Sequence, residues 1–255
     1  MAGNELAVCK FLLANKSYLN FKHLGAIAKI TTPTKGSSNL ITINSENDLA
    51  LVSTQDSRKK ADIYLNGYGI SIKQTGGSFA FNRIQRANIK ALYQQLAFTD
   101  VENKILLIDR DVNRFHQGLL SSRNVPWQNY LSEQDFKELL EYLMLKGSPN
   151  LGISKHPAQY ILEAPASDIN LDNLNLYSFD EYFNLYKYSL TIAIRRQWIG
   201  QSSNSEHNRA LSLLKKKDNL PWVFNNVVGK PRTGWRNDFI KSDRKTVYFL
   251  MIEKK

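Results

Sequence analysis

The stretch ADIYLNGYGISIK, residues 61–73, limits the fold of this chain more than any other. Two short apolar runs, ADIYL and GISIK, flank Asn66-Gly67, a pair that readily accepts the left-handed backbone of a tight turn. They therefore read as the strands of a hairpin, with Tyr68-Gly69 lengthening its loop. Side chains repeat every two residues along a strand, so Ser71 and Lys73 point to one face. Asp62 opens the first strand and Lys73 closes the second, which raises the choice between a hairpin with charged ends and a site that uses both charges.

Periodicity around the hairpin extends the pattern. NELAVCKFLLANKSYL has Leu6, Cys9, Leu12 and Leu13 at helical spacing, with Asn4 as its cap and Glu5 in the first turn. The turn-rich TTPTKGSSN precedes a strand at NLITI. Gly76, Gly77 and Ser78 end the hairpin and lead into FNRIQRANIKALYQQLAF, where Ile84, Ala87, Ala91 and Phe98, widened by Leu92 and Leu96, predict one long helix beginning near Phe81. Arg83 and Arg86 lie in its first turns. KILLID, residues 104–109, is a continuous apolar run of the kind buried in a sheet covered on both faces. Farther on, SEQDFKELLEYLML, SFDEYFNLYKY and RALSLLKKK predict helices, while QYILEA, SLTIAIRRQWI and TVYFLMIE predict strands. With no repeat and no dividing linker, residues 1–255 read as one α/β domain built on a mixed sheet flanked by helices.

Composition narrows the chemistry. The chain is 255 residues long and 42% hydrophobic, enough to fill a core. No window has the apolar length of a membrane span, and MAGNELAVCKFLLANK lacks a basic leader with a small-residue cleavage site, so the expected location is the cytoplasm. A single cysteine, Cys9, forbids an internal disulfide. His23, His116, His156 and His207 are scattered singly and offer no zinc-ligand spacing, which leaves a hard ion on oxygen ligands as the only metal expected. Charge is divided unevenly. Residues 1–186 hold 19 Lys/Arg against 18 Asp/Glu, whereas residues 187–255 hold 15 against 5. A basic block interleaved with Trp198, Trp222, Trp235 and Tyr248 suits a polyanion, because each phosphate contact releases counterions; nucleic acid is the leading partner. No amphipathic stripe opposes its lysines, which disfavours an acidic membrane surface.

Hydrolysis of a phosphodiester requires a carboxylate to hold Mg²⁺, a second oxygen ligand, and a cation near the attacking water and the developing charge. The hairpin offers Asp62 as the carboxylate, the backbone carbonyl of Ile72 as a further ligand, and Lys73 as the cation. Asp62, the eight-residue gap, Ser71-Ile72-Lys73, an upstream helix carrying Glu5 and a downstream helix beginning near Phe81 together resemble the PD-(D/E)XK nuclease superfamily, in particular type II restriction endonucleases. The order helix, strand, strand, helix, strand over residues 1–110 is similar to that family's core, and VVGKPRTGWRNDFIKSDRKTVYFLMIE looks like the C-terminal region of bacterial restriction enzymes. Ser71 departs from the pattern, standing where the family usually has Asp or Glu. The resemblance implies a Mg²⁺-dependent, sequence-specific double-stranded DNA endonuclease with a restriction-endonuclease-like core. Asp62 would be the principal metal ligand and Glu5 the compensating acid. Lys73 would contact water and phosphate, and Ser71 would be a weak or water-mediated ligand. Gln74 and Asp56 are weaker substitutes for the missing acid. A cognate DNA methyltransferase is the implied functional companion, and palindromic targets would favour a homodimer by symmetry.

The basic region 187–255 is expected to recognise DNA within the same domain. Lys230, Arg232 and Arg236 project from the Gly/Pro loop GKPRTGWR, with Asn225 and Asn226 just before it; Arg and Asn can read base edges, while Lys meets phosphates. Trp235 reads as an anchor of that loop ahead of a base-stacking group. Arg195 and Arg196 are adjacent on a strand, so only one of them is expected to line a cleft. Arg83 and Arg86 would hold the backbone beside the scissile phosphate. Lys215, Lys216 and Lys217 read as a solvated helix end, with phosphate contact second, and His207 as an exposed loop histidine or a general base. Two other functions fit the same sequence. One is a DNA-binding module that lost cleavage with the acid at position 71, and the other is an RNA-processing protein, disfavoured because the paired aromatics of common RNA modules are missing.

Overall fold

The structure is a computed structural model, described here for residues 4–33, 39–49, 59–77 and 81–254. Asp56 and Ser78 lie outside the described residues. Where the sequence reads as one integrated domain, the backbone contacts sort into two compact units, Met1–Ser78 with Leu139–Tyr188 and Phe79–Glu138 with Ser189–Lys255. The chain passes between the units three times, and residues 1–110 fall in both.

In the first passage, helix α1 (Glu5–Ala14) is followed by strands β1 (Ile30–Pro33), β2 (Leu40–Thr42), β3 (Ile63–Leu65) and β4 (Tyr68–Gln74). The second unit then begins with β5 (Phe81–Ile84), α2 (Arg86–Gln95), α3 (Val101–His116) and β6 (Asn124–Pro126), and its stretch ends within α4 (Glu133–Glu141), whose last three residues are counted with the first unit. Back in the first unit come β7 (Tyr160–Ala164), β8 (Asn175–Ser178) and α5 (Phe179–Tyr186). The last passage gives the second unit β9 (Leu190–Ile199), α6 (Asn204–Leu214), β10 (Val223–Phe224) and β11 (Lys245–Lys254).

The first unit carries a six-stranded mixed sheet in the order β8-β7-β4-β3-β1-β2. Its parallel pair is β7 with β4, in a register that sets Glu163 beside Lys73 and Ala164 beside Gln74; the other pairs are antiparallel. The β3–β4 hairpin turns on Asn66 (φ 50°) and Gly67 (φ 88°) alone, and Leu65 pairs with Tyr68. Both turn residues need positive φ, which asparagine and glycine supply at least cost. Tyr68 and Gly69, expected in the loop, therefore belong to the strand. Val8, Cys9 and Leu12 of α1 share a buried core with Ile63, Leu65, Ile70, Ile72 and Leu162. Asn4 makes no cap hydrogen bond from its side chain. Its Nδ2 donates instead to the carbonyls of Ala164 (3.0 Å) and Pro165 (2.8 Å), which pins the first turn of α1 to the end of β7.

The second unit has an antiparallel sheet in which β11 pairs with β9, β10 and β5, and β9 also pairs with β6. Two expectations fail here. KILLID is not a strand but lies inside α3, where Ile105, Ile108 and Val112 are buried and Leu106 is 64% exposed. The apolar run is one turn of an amphipathic helix whose face repeats every three to four residues. The helix expected from Phe81 is interrupted: Ile84 pairs with Leu250 of β11, Gln85 is extended (ψ 150°), and α2 starts only at Arg86. Ile89, Leu92 and Tyr93 form the buried face of α2, not Ala87 and Ala91. Among the described residues, no helix is long and apolar enough to cross a membrane.

Candidate active site and basic cleft

The hairpin charges converge on the backbone of one residue, Ile72, in the first unit's sheet. Asp62, just before β3, accepts the Ile72 N–H on Oδ2 at 2.8 Å, continuing the ladder beyond the last backbone pair of the strand. Lys73 donates from Nζ to the Ile72 carbonyl at 3.1 Å and to Ser71 Oγ at 2.7 Å. The N–H and C=O of one strand residue project from the same edge, so Asp62 and Lys73 meet at that edge and not on opposite faces. Ser71 itself is 1% exposed. The side chain of Ile72 is buried in the core, leaving its backbone as the chemically available part.

Glu5 lies one residue beyond Asn4, at the start of α1, where the anchoring to Ala164 and Pro165 fixes it near the end of β7. Asp62 and Glu5 are both close enough to Cys9 to act on it. Burial, then Asp62, then Glu5 push that thiol up to about 12, so it stays protonated and unreactive. Two residues not singled out from the sequence complete the surroundings. Lys60 donates from Nζ to the Leu143 carbonyl at 2.7 Å, and burial together with the Lys73 charge pulls its ammonium down to about 8 against the opposing pull of Asp62. Glu163, the register neighbour of Lys73, is 5% exposed and accepts the Tyr186 hydroxyl on both oxygens at 2.8 Å. Burial and this carboxylate raise the Tyr186 phenol above its ordinary range. Lys60 precedes Asp62 by the two-residue strand repeat, and Glu163 nearly ends an apolar strand as Lys73 does; those were the available signals.

Oxygen donors at this edge are the second carboxylate oxygen of Asp62, the Ile72 carbonyl and Ser71 Oγ, and Lys73 already holds the last two. Among the described residues no group of three or more His, Cys, Asp or Glu side chains could hold a metal. Such a set fits Mg²⁺, which retains several waters and needs one or two carboxylates plus a substrate phosphate. It does not fit an ion that demands a cage of protein ligands.

The DNA-binding candidates all belong to the second unit, and several are engaged internally. Arg83, in β5 rather than a helix, pairs with Glu206 (3.2 Å) and lies 4.6 Å from the centre of the Phe249 ring. Arg86 grips Asp109 in a two-pronged pair at 2.7 and 2.8 Å, and Trp222 Nε1 donates to the same carboxylate at 2.8 Å. Either arginine would have to leave a carboxylate to meet a phosphate. Trp235 anchors its loop: it bridges Gln201 and lies under the Arg244 guanidinium at 4.5 Å. Arg236 is held by Asp238 (3.1 Å) and Asn204 (2.6 Å). His207 is no loop residue. It sits on α6, 6% exposed, and accepts the Gly200 N–H at 2.9 Å, with burial and Arg236 lowering its pKa.

A cleft of about 390 Å³ remains within this unit, lined among others by Phe115, Arg123, Arg195, Arg196, Trp198 and Lys230. Both adjacent arginines border it, contrary to the expectation from strand alternation. The strand β6 pairs with β9 over Thr191–Ala193, and the last backbone bond between the two segments runs from the Ile194 N–H to the Arg123 carbonyl at 2.8 Å; the cleft lies at this end of the pairing, bordered by both arginines. Arg195 and Arg123 share Glu253, the latter at 3.3 Å. Asn225, Asn226, Lys230 and Arg232 are exposed. Compared with family profiles, curated proteins and solved structures, the chain matches none of them.

Proposed function

We propose that this protein is a Mg²⁺-dependent endonuclease of double-stranded DNA, of the type II restriction kind, with its cleavage site at the β3–β4 hairpin. The observation that carries the reading is the backbone of Ile72, whose N–H meets the Asp62 carboxylate and whose carbonyl meets the Lys73 ammonium at one strand edge. The parallel strand beside β4 adds support. It is formed by residues 160–164, since residues 104–109, expected to be the core's last strand, are helical.

Asp62, the Ile72 carbonyl and Glu5 are the residues that would hold Mg²⁺, which when bound supplies Lewis-acid polarisation of the scissile phosphate. Lys73 holds the attacking water by hydrogen bonding and places positive charge against the developing phosphorane. Ser71 orients the Lys73 ammonium through Oγ. Asp62, tied to the Ile72 N–H, keeps one oxygen aimed at a fixed place. Exposed Asn225, Asn226 and Arg232 are the remaining candidates for base and phosphate contacts.

Digestion of a plasmid of known sequence with Mg²⁺ should give discrete fragments that a chelator abolishes. Lys73→Ala should lower cleavage by at least about a hundredfold, the size of losing one preorganised transition-state contact. Glu5→Gln should remove cleavage with binding nearly intact, and full activity in that variant would refute the role of Glu5. A second reading, DNA binding without cleavage, is favoured by Ser71 at the position of the family acid and by its hydroxyl already accepting from Lys73. It predicts salt-sensitive DNA binding and no fragments under any divalent ion.

A further inference from the structure

We propose that the cleft of the second unit binds the nucleoside monophosphate part of a nucleotide, with the phosphate on Arg196 and Lys230 and the base against the aromatic wall. Four cations border the cleft, Arg123, Arg195, Arg196 and Lys230, and two of them, Arg123 and Arg195, share the carboxylate of Glu253. Among the described residues no carboxylate pairs with Arg196 or Lys230, so the cleft carries an excess of positive charge that an anion would balance. Arg196 presents a planar fork suited to two phosphate oxygens. One prong is already fixed, because Nη1 donates to the Val228 carbonyl at 3.1 Å while the guanidinium lies 4.9 Å from the centre of the Phe115 ring.

The rest of the cleft is built rather than incidental. Trp198 Nε1 donates to the same Val228 carbonyl at 2.9 Å, and the Val228 N–H donates to Thr246 Oγ1 at 2.9 Å, which in turn donates to the Asn226 carbonyl at 2.8 Å. Gly229 follows at φ 79°, and a Cβ there would come 2.8 Å from Arg196 Nη1. Only glycine lets this loop close over the arginine without moving it. A bare phosphate would use the cations alone, whereas a nucleotide base adds a flat face for an aromatic ring. The volume lies in the range of small-ligand sites and is large enough for one nucleotide. This assignment goes beyond cleavage at the hairpin and stands without it.

The nucleotide can come free or from a strand with one base turned out of its stack, and binding of the full chain in the presence of a chelator separates the two sources. The probes are inorganic phosphate, deoxyadenosine monophosphate, a duplex oligonucleotide, and the same duplex with one unpaired adenosine. Deoxyadenosine monophosphate should bind at least tenfold more tightly than phosphate. Preference for the free nucleotide identifies a ligand site, and preference for the bulged over the intact duplex identifies a site for an extruded base. Lys230→Ala, at an exposed position, should weaken the preferred probe severalfold without disturbing the fold, and Arg196→Ala should weaken it more. Trp198→Phe should narrow the gap between nucleotide and phosphate. Equal affinity for phosphate and nucleotide, no binding of any probe, or unchanged binding in both Lys230→Ala and Arg196→Ala would overturn the proposal. Lys73→Ala should leave nucleotide binding unaltered, so a failure at the hairpin and a failure at the cleft are told apart.

Discussion

Lys60 is the residue whose environment makes the sharpest prediction. Burial, and then the like charge of Lys73, pull its ammonium down from the ordinary 10.5 to about 8. A base whose folded pKa is depressed binds fewer protons in the folded than in the unfolded state between those two values. Stability therefore rises with pH from about 8 toward 10.5, and the cost of burying the charge is fully present below 8. Lys60→Met, which keeps the length of the side chain, removes this dependence. Urea midpoints of wild type and variant, compared at pH 7 and pH 10, should show the wild type gaining on the variant at the higher pH. Parallel curves would mean that Lys60 is an ordinary solvated lysine.

The same edge depends on how closely β4 meets the segment before β7. Gly69 has no room for a side chain: a Cβ would lie 2.5 Å from the Pro157 carbonyl oxygen and 3.0 Å from Ala61 Cβ. The carbonyl belongs to backbone and cannot swing away, so Gly69→Ala should cost about 1–3 kcal/mol through overpacking, read as a lowered urea midpoint. An unchanged midpoint would show that the two strands are less tightly joined than described. Elements such as α1, β7, β9 and β11 were legible because each repeats its own apolar pattern over enough residues to declare a period. The strand β5 was not, since four residues are too few and its partner β11 lies far along the chain. The apolar run within α3 misled because local hydrophobicity was counted without testing which residues share a face. At the site, Asp62, Ser71 and Lys73 were legible because a hairpin brings sequence neighbours together. The engagement of Arg83 by Glu206 and of Arg86 by Asp109 was not, because only tertiary packing joins those residues.

Each unit of the molecule is assembled from two separate stretches of chain, and this governs what can be removed. A fragment ending at Tyr188 contains every residue of the first unit but lacks β9 and β11. Its β5 and β6 then have no strands to pair with. Hydrogen exchange on such a fragment should find the amides of Tyr68–Gln74 protected and those of Phe81–Ile84 and Asn124–Pro126 exchanging freely. Protection of the latter two would mean that they are held by something other than β11 and β9.

The connectivity of the second sheet also sets a time scale. Ile84 waits for Leu250 and Val125 for Ile192, so its outer strands cannot be completed until a distant stretch of chain arrives. Closing such long loops is entropically slow, and unpaired strand edges remain open to other chains meanwhile. Refolding from urea should accordingly be slow, with a yield that falls as the protein concentration rises.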